Sequence, residues 1–149
     1  MKSVINESEL HHRYKTEIVA TMENEPYAQF LGIRLVDIEE GTALAELDIQ
    51  DHMLNAHETV HGAITFAIAD YVFAAASNSY GKTAVGISTT MNYMAAGEKG
   101  AQLRATAIEE KKNHRMAWYK VNVESDGVLI ATMEAVAYRK NHYFVPVEE

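Results

Sequence analysis

Apolar positions along the chain change period several times, and each change marks an element. Leu10, Tyr14, Ile18, Val19 and Met22 fall at helical spacing, and Asn6 followed three residues later by Glu9 resembles a capping box, so residues 7–23 are expected to form an amphipathic helix. Pro26 suits the first turn of a second, short helix, with Tyr27, Phe30 and Leu31 expected to seat it on the core and Gly32 to end it. From Ile33 the period becomes two. Ile33, Leu35, Val36 and Ile38 precede "EEGT", and Ala43, Ala45, Leu47 and Ile49 follow it, which predicts a β-hairpin. Beyond the loop "DHMLNAHE", the stretch "TVHGAITFAIADYVFAAASNS" is apolar nearly all round, the pattern of a helix enclosed by other structure. After "YGK" four strands are predicted, over 83–94, 101–111, 116–125 and 129–139. They are separated by "AAGEKG", "KNHR" and "DGV", of which the Asp-Gly pair is a strong hairpin signal.

Short turns between strands imply an antiparallel sheet, and one long apolar helix implies that the sheet wraps around it. The class expected is therefore α+β. With 149 residues and 48% hydrophobic content, the chain can build one real core but not two.

Charge and composition then narrow the chemistry. The absence of cysteine removes disulfides, thiolate zinc sites and cysteine nucleophiles, and fits a reducing compartment. The first residues, "MKSVINESELHHRYK", contain no apolar signal segment, so a cytoplasmic location is expected. The most apolar run, 63–76, is interrupted by Asp70 and is shorter than the roughly 20 residues of a membrane span. A net charge of −8 without a basic stripe argues against nucleic acid as a partner, while a local basic cluster could still hold an anionic small molecule.

One pentapeptide, "HETVH" at residues 57–61, spells the H-E-x-x-H signature of zinc hydrolases. On a helix His57 and His61 would share a face, but a catalytic zinc needs a third protein ligand. Ile64 and Ala67 stand where the longer signature requires glycine and histidine, and no acidic residue or histidine lies between Asp70 and Glu98. Asp70 itself lies about 13 Å further along the helix axis than His61, at 1.5 Å per residue. The expectation is no metal and no cofactor, with His57 and Glu58 in a loop and His61 at a helix start.

Asp70 is the residue that needs a reason. Phe66, Ala67, Phe73 and Ala74 flank it at helical spacing, and burying an unpaired carboxylate there is costly and raises its pKa. From the residues alone, a structural Asp hydrogen-bonded to a Ser, Thr or Arg and a functional one both remain open.

The stretch "NAHETVHGAITFAIADYVFAAASNSYG", Asn55 to Gly81, resembles the signature of the PaaI-like hotdog thioesterases, N-x-x-G-x-x-H-G-G followed by a helix with a mid-helix Asp. The similarity extends from about Pro26 to Tyr138, and "LGIRLVDIEEGTALAEL" resembles the family's opening hairpin. Residues 1–25 are thus expected to be an N-terminal helical extension and 26–149 the hotdog domain. The resemblance implies hydrolysis of an acyl-CoA thioester. It assigns the backbone N–H of Gly62 to the thioester carbonyl, Asn55 to shaping the pocket, and Asp70 to general base or nucleophile. His61 is matched by the motif, and Ser88 on the next strand is expected to hold the water. Glu58 replaces a frequent Gly and Ala63 the second Gly of the pair, which bears on the acyl or pantetheine channel. A homodimer, paired into a tetramer, is also implied.

Spacing adds an independent step. Gly62 and Asp70 lie about 12 Å apart on one straight helix, too far for both to touch one thioester carbonyl. If both act, the site must lie between antiparallel helices of two chains. The remaining basic cluster, Lys111, Lys112 and Arg115 in "EEKKNHR", is either a solvated hairpin tip or a set of contacts to CoA phosphates. Adjacent His11 and His12 do not share a helix face, and Tyr93, Met94, Trp118 and Tyr119 are expected mostly in the core, although the hotdog resemblance implies an acyl pocket lined by such side chains. Two alternatives stand beside the thioesterase: a noncatalytic acyl-CoA binding or sensing module on the same fold, and the zinc hydrolase.

Overall fold

A computed structural model describes residues 6–148. Its elements are α1 (Glu7–Arg13), α2 (Lys15–Glu23), α3 (Pro26–Leu31), β1 (Arg34–Glu39), β2 (Thr42–Asp48), a 3-10 turn at Asp51–Met53, α4 (Gly62–Ser77), β3 (Lys82–Tyr93), β4 (Gln102–Lys112), β5 (Met116–Ser125) and β6 (Val128–Tyr143).

The side chain of Asn6 accepts the Glu9 N–H and opens α1 as its spacing predicts. The single helix expected over 7–23 is instead broken at Tyr14, which leaves helical geometry with φ −110° and ψ 18°. Tertiary packing explains the break: Tyr14 is buried and donates its hydroxyl to the Pro146 carbonyl at 2.9 Å. His11, wholly buried, bonds through Nδ1 to the Ser79 carbonyl at 2.7 Å and ties α1 to the end of α4. In α3, Ala28 and Leu31 face the core, whereas Tyr27 and Phe30 are 57% and 78% exposed, against expectation. At 3.6 residues per turn the pair 27 and 30 is turned by about 100° from the pair 28 and 31, so seating the second pair on the core leaves the first at the rim of the contact.

All strand pairs are antiparallel, in the order β1-β2-β4-β5-β6-β3. The Asp126-Gly127 hairpin turn, with φ 47° and 83°, forms as expected. The stretch "AAGEKG" does not make a hairpin: β3 pairs with β6, and the segment crosses to deliver β4 between β2 and β5. Alternation identifies strands, not their partners. The crossover is fastened to the approach of α4, because Val60 N–H donates to the Gly97 carbonyl at 2.9 Å. A Cβ on Gly97 would meet Val60 at 2.8 Å, so only glycine permits that approach.

One core runs through the described residues: Leu10, Tyr14 and Ile18 from the N-terminal helices join Ile68, Val72 and Phe73 of α4 and Leu103, Val121 and Met133 of the sheet. The two sheet edges differ. At β1 a bulge between Leu35 and Asp37 and the charges of Arg34, Asp37 and Glu39 discourage further pairing. Edge strand β3 carries no charged side chain after Lys82, and Val85 and Ile87 are exposed along it.

Candidate active site

The site is built around the start of α4. Asn55 organises the loop before it: its Oδ1 accepts the N–H groups of His57 and Thr59, at 2.9 and 3.2 Å, and its Nδ2 donates to Thr59 Oγ1. Glu58 sits at φ 61°, the left-handed region, which gives the physical reason for glycine at this position of the motif. The string "HETVH" is therefore loop, turn and helix cap. Among the described residues no group of three His, Cys, Asp or Glu side chains could hold a metal ion.

His61 is the N-cap of α4, and its Nδ1 accepts the Ala63 N–H at 2.9 Å, in the tautomer that keeps the proton on Nε2. Ile64 and Thr65 both donate to the His61 carbonyl. Of the first-turn N–H groups, only that of Gly62 is left without an acceptor among the described residues. A free N–H at the positive end of a sixteen-residue helix is a preorganised donor for a developing oxyanion. Tyr93 packs over it, with its hydroxyl donating to the Gly62 carbonyl at 3.3 Å.

Asp70 differs from the buried carboxylate expected. Its side chain is solvent-facing, on a strip of α4 where Ala63 is also exposed and Phe66 half-buried. These residues line a cavity of about 550 Å³ with Tyr27, Ala28, Ile33, Ala67, Tyr71, Tyr93 and Glu25. The apolar surroundings still dehydrate the carboxylate enough to raise its pKa above the usual aspartate value. Among the described residues no Ser, Thr or Arg lines this cavity to give Asp70 a structural partner.

Ser88 is not brought to Asp70. It pairs in register with half-buried Val136 and opens, with Thr90, Trp118 and Glu134, into a separate small cavity. Thr89, opposite buried Ala135, occupies the register position on the helix side of the sheet. A bulge between Gly86 and Ser88 shifts the alternation by one residue, which counting along the sequence cannot reveal.

Lys111, Lys112 and Arg115 do not form one cluster. Lys111 is exposed, and Arg115, also exposed, reaches the Tyr138 hydroxyl at 3.4 Å. Lys112 is committed to Glu7 and to the face of Tyr80, 3.6 Å from the ring centroid. Glu7 also pairs with buried Arg139. Burial works to raise the Glu7 pKa, but the hydrogen bonds from Lys112 and Arg139 outweigh it and hold the carboxyl below its ordinary value.

Glu25 escapes sequence reading, because it looks like an ordinary acid before a helix-starting proline, whereas Tyr93 takes the pocket-wall place that the hotdog resemblance left open for it. Tyr93 and Met94 are 57% and 60% exposed, while Tyr119 is buried as expected.

No described helix is long and apolar enough to cross a membrane. The thioesterase superfamily profile matches residues 57–132. The chain is 32% identical to acyl-coenzyme A thioesterase PaaI of Escherichia coli over 76% of its length and 81% of that protein. The E. coli PaaI structure superposes with a TM-score of 0.83 at 27% identity, covering 93% of this chain and 99% of that one. A variant of the phenylacetic acid degradation protein PaaI from Thermus thermophilus gives 0.75 at 34% identity, covering 78% and 100%. The chain belongs to the thioesterase superfamily, as a PaaI-like enzyme of hotdog fold.

Proposed function

We infer that the protein hydrolyses acyl-CoA thioesters to a free acid and CoA, at sites shared between two copies of the chain. The observation that carries this reading is the pairing of one unclaimed N–H, at Gly62, with one weakly hydrated carboxylate, Asp70, on the same helix. Gly62 N–H stabilises the oxygen of the thioester carbonyl as the tetrahedral intermediate forms. Asp70 either takes a proton from the attacking water or attacks the carbonyl carbon itself, and both routes require its ionised form. On the general-base route the C–S bond breaks, the thiolate of CoA leaves and is protonated, and the water oxygen remains in the acid. On the nucleophilic route C–S cleavage leaves the acyl group on Asp70 as an anhydride, which water then hydrolyses to the free acid and the Asp70 carboxylate.

Eight residues of helix hold the two groups about 12 Å apart, so each Asp70 is assigned to the Gly62 of a partner. The uncharged edge of β3 supports the same assembly. A long unprotected edge invites pairing, and extending the sheet across a two-fold axis would cover it and bring the open strip of α4 against its counterpart. Asn55 and His61 serve this site as positioning residues, one shaping the loop and the other capping the helix.

Thiol release from a panel of short, medium, long and aromatic acyl-CoAs tests the reading. Turnover of at least one member, unchanged by a chelator, is expected. Binding of acyl-CoA without turnover would establish the noncatalytic alternative, and loss of activity to the chelator with recovery on adding zinc would revive the metal reading.

A further inference from the structure

Glu25 stands at the head of α3, where its backbone carbonyl accepts the Gln29 N–H at 3.0 Å and Pro26 fixes the first turn. Its side chain makes no capping hydrogen bond to the helix it precedes. Half-buried, it lines the cavity of Asp70. The other ionisable groups on that wall are Tyr27, Tyr71 and Tyr93, and no Lys, Arg or His lines it among the described residues.

Two carboxylates with no Lys, Arg or His among the described residues lining their cavity, walled by Ala28, Ile33, Phe66 and Ala67, make a negative chamber with largely apolar walls. Neighbouring groups register the field. The Glu25 carboxyl is raised by burial and then by Asp70, and burial followed by Glu25 and Glu23 pushes Tyr71 up to about 12.

We propose that Glu25 is a specificity-determining residue of the acyl chamber, excluding acyl groups that carry their own negative charge and reserving the cavity for neutral ones. This role rests on the hydrolase reading above, since it takes the cavity at Asp70 as the place of the acyl group. An acyl carboxylate entering there would meet two like charges and, among the described residues that line the cavity, no Lys, Arg or His. The acid formed by hydrolysis meets the same field, which favours its departure.

The test compares pentanoyl-CoA with glutaryl-CoA, thioesters of equal carbon count that differ by one terminal carboxylate. Wild type is expected to prefer pentanoyl-CoA. Glu25→Gln is expected to raise kcat/KM for glutaryl-CoA relative to pentanoyl-CoA about tenfold, as expected for removing one like charge at a half-buried position. Glu25→Asp, which keeps the charge, should keep the preference. Equilibrium binding of both thioesters to Asp70→Asn, with and without Glu25→Gln, reads the selection without turnover. Hydrolysis of pentanoyl-CoA with both ratios unchanged by Glu25→Gln overturns this role and leaves the hydrolase reading standing. Absence of turnover by wild type, with the binding ratio still shifting about tenfold, overturns hydrolysis and supports the selection.

Discussion

Asp70→Asn is expected to lower kcat/KM for the best acyl-CoA by about a thousandfold while leaving the fold intact, the size of loss that follows removal of a positioned base. The side chain faces solvent in the protomer, so the amide fits without repacking. The sign of the pH dependence follows from the raised pKa of Asp70. The reactive form is the carboxylate, so activity holds on the alkaline side and falls as pH drops through a value above that of an ordinary aspartate. Replacing it removes that acid limb with the activity. Stability at pH 7 should not fall, because a carboxyl whose folded pKa is raised is ionised at a cost to the fold above that value. A pH-rate profile with thermal melts of both proteins checks this. Activity within tenfold of wild type would remove Asp70 from the chemistry.

Gly62→Pro is the second large effect, expected at about a hundredfold or more in kcat, comparable with loss of one oxyanion donor. Proline deletes the one N–H that the site uses and otherwise suits the position. Gly62 is the first residue of α4, where proline is favoured, and His61 before it has φ −61° and ψ 135°, a conformation that tolerates a following proline. The added Cβ would lie 3.3 Å from the ring of Tyr93, which is more than half exposed and free to shift. Circular dichroism and melting should be close to wild type while thiol release collapses. Retained kcat would show that the carbonyl is polarised elsewhere.

Local signals were strong enough in the sequence to place most elements. The Asn6 cap, Pro26 and Gly32 around α3, and the Asp-Gly turn all act through backbone chemistry confined to a few residues. What sequence reading missed depends on contacts between distant segments. Tyr14 breaks a helix because Pro146 receives its hydroxyl, and β3 passes over β4 to pair with β6. In the site, Asp70 stands out because it interrupts an apolar run, and Gly62 through the motif of the family that the stretch resembles. A bulge turns Ser88 to the face of the sheet away from α4, and Lys112 meets Glu7, 105 residues away; neither placement carries a local mark in the sequence. Glu25 carried no local mark, since only the fold brings it to the cavity of Asp70.

The central claim is that each site takes Asp70 from one chain and Gly62 from another, and mixing two inactive variants tests it most directly. Asp70→Asn and Gly62→Pro subunits, dissociated together and reassociated in equal amounts, should form hybrid dimers that each contain one intact site. The account predicts recovery of about a quarter of wild-type activity, since half the dimers are hybrids with one site of two restored. Hybrid dimers verified by mass spectrometry that show no activity above the separate variants would contradict it.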